Sequence, residues 1–120
     1  MGIEDVIGEE SIGDVRVVTV RTAELSAAVA KGFVARVQLS FPSGGSVRVV
    51  LDLSSVKFMD SVALGSLVVL LRRVKERGGR MVLVGLSGHC RNVMDVTGLG
   101  RVFEQCPDVA SAVKALQGPG

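Results

Sequence analysis

Asp60 and Ser61 are the residues in this chain whose types and placement most readily suggest chemistry. They lie between a β-branched apolar run, Val47 to Leu53, and a segment in which Leu64, Leu67, Val68, Leu71 and Val74 recur at helical spacing. A carboxylate just before a helix can accept hydrogen bonds from its free backbone N–H groups. Ser61 then presents a hydroxyl at the exposed, electropositive tip of that helix. The plainer role of both residues is an ordinary helix cap.

His89-Cys90 is a second pair of reactive types, but chain neighbours do not face each other, and a Cys at such a site is usually packing. A hydrolase built on Ser61, His89 and Asp60 would lack the Gly-x-Ser-x-Gly elbow and any marker of an oxyanion hole. No catalytic residue is therefore assigned. Cys90 and Cys106 stand far apart, without a CxxC and with a single His in the chain, so no metal site and no cofactor is expected. They read as two structural thiols of a reduced cytoplasm.

The elements that must position Asp60 and Ser61 follow from the patterning around them. Val47 to Leu53 is of strand length, and its near-continuous apolarity fits a strand covered on both faces. The helix after Asp60 runs to a basic end, Arg72, Arg73, Lys75 and Arg77, which complements its dipole, and Gly78-Gly79 closes it. Arg80 to Gly85 is a further strand, so strand, helix and strand form a βαβ crossover with parallel neighbours. Ser54 and Ser55 read as a polar turn.

Towards the N-terminus, Ile3 to Ile7 reads as a short edge strand with Gly8 to Ser11 as a turn. Asp14 to Arg21 is a firmer strand. Thr22 offers an N-cap for a helix carrying Leu25, Val29, Phe33 and Val37 through about Leu39, ended by Pro42-Ser43-Gly44-Gly45. On the C-terminal side, Ser87 or Gly88 opens a short helix ending at Thr97-Gly98. Leu99 to Phe103 reads as a short strand or extended turn, and Pro107-Asp108 opens a last helix carrying Val109, Val113 and Leu116.

With 120 residues the chain is read as a single domain, 1–120, built on Val, Leu, Ala and a few Phe and Met, since Trp and Tyr are absent. A net charge of +2, with basic residues scattered and no aromatic platform among them, argues against nucleic acid. The longest apolar run, Val62 to Leu71, falls short of a membrane span, so no membrane insertion is expected. The acidic start shows no signal peptide, and Val6 stands where a myristoylation motif at Gly2 would need Ser or Thr. A cytoplasmic location is the expectation.

In ordered combination, Val50-Leu51-Asp52-Leu53-Ser54-Ser55-Val56-Lys57-Phe58-Met59-Asp60-Ser61, Leu64-Gly65, Gly78-Gly79, and Thr97-Gly98-Leu99 with Val102-Phe103 resemble the STAS domains, in particular the anti-sigma factor antagonists. The resemblance implies an α/β fold: a small mixed β-sheet with a parallel βαβ core and about four helices packed on one side. It implies a non-enzymatic docking module whose partner is a protein kinase that doubles as an anti-sigma factor, of the GHKL type. Phosphorylation of a hydroxyl in an Asp-Ser-(Ser/Thr)-Gly motif would end that docking. Asp60 and Ser61 match the first two positions; Val62 stands in place of the second hydroxyl and Ala63 in place of the glycine. Ser61 is then the candidate phosphoacceptor, and Met59, Asp60, Ser61, Val62, Ala63, Leu64 and Gly65 the candidate partner-binding edge. Met59, Val62 and Leu64 are expected to form its apolar patch. The alternative is a constitutive STAS subunit of a lipid or anion transport assembly, partnered by a transporter subunit and needing no phosphorylation.

Overall fold

Runs of valine dictate the centre of this molecule. In the computed structural model, which describes residues 6–117, five strands form one sheet in the order β1-β2-β4-β6-β7. They are β1 (Ile7–Ile12), β2 (Val15–Val20), β4 (Arg48–Asp52), β6 (Arg80–Val84) and β7 (Glu104–Cys106). β1 is antiparallel to β2, and every other pairing is parallel. Two short segments, β3 (Glu24–Leu25) and β5 (Phe58–Met59), pair separately in parallel. The helices are α1 (Ala27–Gln38), α2 (Ser61–Glu76), α3 (Gly88–Thr97) and α4 (Val109–Gln117), with a 3-10 turn at Leu99–Arg101.

The mixed sheet and its parallel β4-α2-β6 crossover agree with expectation, as do four helices among the described residues. Their sidedness differs. Val18, Val20, Val49, Leu51, Met81 and Leu83 pack under α1, α2 and α3, with Phe33, Leu67, Leu70, Val74 and Met94. Val15, Val17, Val50, Val82 and Val84 point the other way and meet Ala112, Val113 and Leu116 of α4. Three helices thus cover one face and the last covers the other. Strand alternation is the reason: Val49, Val50 and Leu51 are all fully buried, which a strand achieves only when both faces are covered. Each such side chain contributes about 1.5–3 kcal/mol by leaving water.

Three boundaries also move. Ile3 to Glu4 and Asp5 lie outside the described residues, but Gly8 to Ser11 is strand rather than turn, and the reversal falls at Gly13-Asp14. An edge strand can carry polar residues on its open side, and Glu9 is held from α1 by Arg36 at 3.1 Å. The first helix starts at Ala27 after Ser26, not after Thr22, because Leu25 is a strand residue paired with Met59. Of the two readings of Leu99 to Phe103, the turn holds rather than the strand: a 3-10 turn covers Leu99–Arg101, and the edge strand comes after it at Glu104–Cys106. The polar residues of β7 are fixed by the ladder to Val82–Val84 and by Arg80, whose guanidinium donates to both Glu104 carboxylate oxygens at 3.1 and 2.6 Å. That hydrogen bond holds the Glu104 carboxyl below the usual glutamate range.

Candidate functional site

Between β4 and α2 the chain makes a detour through β5, and period-2 alternation along this short strand decides which side chains are on show. Met59 turns inward beside Leu25 and is buried, while Phe58 is 56% exposed. Its ring lies 5.0 Å from that of His89 at the start of α3, tilted by 58°. The turn before β5 is built by Asp52, whose Oδ1 accepts from the N–H of Ser54 at 2.9 Å, so the serines serve the polar turn expected of them.

Asp60 then stops the strand and starts α2. Its Oδ1 accepts from the N–H of Ala63 at 2.8 Å, an N-cap bond. Its Oδ2 accepts from the N–H of Ala27 at 2.9 Å, the first residue of α1. Ser26, in the N-cap position of α1, makes no capping bond of its own, so one carboxylate serves the N-termini of two helices. The N–H groups of Ala63, then Ala27, then Val62 hold the Asp60 carboxyl below the usual aspartate range. The stability gained from the ionised form is present above that range and lost as pH falls through the lowered value. Asp60→Ala is expected to lower the melting temperature at neutral pH, with a difference from the native chain that shrinks steadily on acidification; melts recorded across acidic pH read it directly.

Ser61, Val62 and Gly65 lie on the outer side of α2, with Val62 52% exposed. Ala63 and Leu64 turn into the core with Leu67, Leu70 and Leu71. The expected apolar patch of Met59, Val62 and Leu64 is therefore corrected: Met59 and Leu64 are 6% and 7% exposed and act as supports. Helical and strand periodicities put Phe58 and Val62 outside instead; the sequence carried no signal for Phe58, because Lys57 and Phe58 are both exposed and only the pairing of Met59 with Leu25 sets the register. His89 was visible in the sequence as a partner for Cys90 and as the base of a hydrolase with Ser61 and Asp60. The two diverge: Cys90 is buried with its thiol directed to the Val56 carbonyl at 3.8 Å, while His89 is exposed against Phe58. Both Asp60 oxygens are occupied by backbone donors, so Asp60 does not orient His89 as a triad acid would. Among the described residues no helix is long and apolar enough to cross a membrane.

The STAS domain model matches residues 9–112 of this chain. The chain belongs to the STAS domain family. Among similar proteins is a TM1081 homolog of Thermotoga neapolitana, named as a candidate anti-sigma factor antagonist, 31% identical over 65% of this chain and 69% of its own length. The anti-sigma-B factor antagonist of Listeria monocytogenes is 35% identical over 45% of this STAS chain and 47% of its own length, so the aligned part spans about half of that relative. In fold, the chain is similar to an anti-sigma factor antagonist domain protein from Planctomyces limnophilus, with a TM-score of 0.81 at 24% identity over 93% of this chain and 98% of that one. It is similar also to the Bacillus cell fate determinant SpoIIAA in its phosphorylated form, with a TM-score of 0.70 at 20% identity over 92% and 99% of the two chains. These two structures establish the STAS fold alone.

Proposed function

We propose that this STAS domain is an anti-sigma factor antagonist that docks a partner kinase and anti-sigma factor of the GHKL type through the edge at Met59 to Gly65, and that phosphorylation of Ser61 ends the docking. The observation that carries the reading is the exposure of Ser61 at the tip of α2, beside exposed Phe58 and Val62 and above the buried supports Met59, Ala63 and Leu64. The names of the relatives support the same class of partner. In this arrangement Phe58 and Val62 supply apolar contact, Gly65 allows close approach, and the Ser61 hydroxyl stays reachable.

Asp60 gives the switch its physical form. A phosphate on Ser61 brings nearly two negative charges beside a carboxylate that already occupies the N–H groups of the α2 tip. The phosphate and Asp60 then compete for the same donors. Repulsion at a previously neutral hydroxyl lowers affinity for the partner, and displacement of Asp60 also loosens its bond to Ala27. Binding to the purified cognate kinase tests this. Ser61→Ala is expected to bind like the native chain and to take up no phosphate, and Ser61→Asp to bind at least tenfold more weakly. Undiminished binding by Ser61→Asp, or phosphate incorporation into Ser61→Ala, would overturn the switch.

A further inference from the structure

With Trp and Tyr absent, four phenylalanines supply the large aromatic rings of this chain, and three of them serve the fold. Phe33 and Phe103 are buried in the core, and Phe41 is half-buried with the Arg77 guanidinium 5.9 Å from the centre of its ring. Phe58 alone is exposed, and the backbone that carries it is fixed. The N–H groups of Lys57 and Phe58 donate to the Ala23 carbonyl at 2.7 and 3.0 Å, and buried Met59 pairs with Leu25. His89, the single histidine, is exposed beside the Phe58 ring and comes from a different element. The start of α3 that carries it is fixed in turn: the Ser87 hydroxyl accepts from the Cys90 N–H at 3.3 Å, and Cys90 is buried.

An exposed aromatic ring on fixed backbone, held against a second ring, loses little freedom when a partner covers it, which is the property of an interface anchor. The charges around the pair say what covers it. His89 forms no ion pair among the described residues. On α3, Arg91 lines the cleft at Cys106 and Pro107, Asp95 turns to Gly100, and the residues one turn on from His89, Asn92 and Val93, are uncharged. Arg101 lies beyond the far end of α3, in the 3-10 turn. Lys57 and Asp60 flank Phe58 along the chain, and both Asp60 oxygens are engaged by backbone N–H groups. An acid brought by a partner would meet ionised Asp60 two positions from Phe58, whereas an apolar pocket meets no opposing charge.

We propose that Phe58 anchors the docking edge in an apolar pocket of the partner kinase, and that His89 positions its ring and makes docking sensitive to pH. This rests on the proposed docking at Met59 to Gly65 and extends it onto α3. Covering His89 strips water from the charged imidazolium and supplies no counter-charge, so docking weakens from about pH 8 to about pH 5, the interval in which histidine gains its charge. Asp60, its carboxyl held low, stays ionised throughout. The test is the affinity of the full chain for the purified cognate kinase at both ends of that interval, beside thermal melts of each variant. Phe58→Ala is expected to lose about tenfold with little change in melting temperature. His89→Ala is expected to bind about threefold more weakly at the upper pH, and His89→Phe to restore native affinity there while losing the further weakening at low pH. Groups of the kinase titrate alike against both chains, so the difference between the two pH profiles belongs to His89. Native affinity in folded Phe58→Ala, matching pH profiles for the native and His89→Phe chains, or tighter native docking at low pH would overturn the proposal. Ser61→Asp, measured beside them, separates the two readings. If it weakens binding while Phe58→Ala does not, the anchor fails and the docking edge stands; if both bind natively, the docking edge itself fails.

Discussion

Gly65→Trp is expected to abolish partner binding, by about a hundredfold or more, in a chain that remains folded, whereas Gly65→Ala should raise stability by about 0.5–1 kcal/mol. Glycine inside a helix is unfavourable by about 1 kcal/mol relative to alanine, chiefly through backbone entropy. Some helices accept this because a neighbour leaves no room for a methyl group. Gly65 has no such reason: a Cβ built there meets nothing within 4 Å, and the residue is exposed on α2. The fold does not need this glycine, which fits the proposal that a partner surface approaches the helix backbone closely here. Thermal melts of both variants, beside their affinities for the cognate kinase, separate the two effects. Native affinity in a folded Gly65→Trp chain would remove this face of α2 from the proposed docking edge.

Gly79→Ala should be among the most damaging single substitutions in the chain, at about 3 kcal/mol, the upper end of what overpacking usually inflicts. A Cβ at Gly79 would fall 2.1 Å from the carbonyl oxygen of Val47, which is backbone and cannot rotate away. The same oxygen accepts from the N–H of Arg80 at 2.9 Å, the bond that sets β6 against the entrance to β4. Relief of the clash therefore breaks the start of the central parallel pair. Gly78→Ala is the contrast: Gly78 has open space but a φ of +68°, so alanine there meets only the left-handed backbone penalty of about 1–2 kcal/mol. Denaturant melts of the two variants should rank them in that order, and equal losses would show that the contact with Val47 relaxes freely.

These two glycines show where reading the sequence reaches its end. As neighbours of identical type they form one helix stop, and nothing in the chain distinguishes the one that needs a left-handed backbone from the one pressed against another strand. Gly65 likewise is only a motif position until the space around it is known. Phe58 and Met59 are adjacent apolar residues of similar size. Which of them faces outward depends on the pairing of Met59 with Leu25, a contact across more than thirty positions of chain.

What the sequence determined by itself was local or strongly periodic: the valine runs of the central strands, the helical stripe from Leu64 to Val74, the Asp60 and Asp108 helix starts, and the order of motifs that marks the family. The three consecutive apolar residues Val49 to Leu51 in β4 even carried the demand for cover on both faces, although not which helix would meet it. The tertiary structure alone decided that α4 crosses to the far side, that β3 and β5 pair, and that Asp60 reaches Ala27 as well as Ala63. Periodicity records how each segment divides its own surface between inside and outside. Which surfaces then meet is settled by closure of the whole core, and the site at Ser61 owes its exposure to that closure.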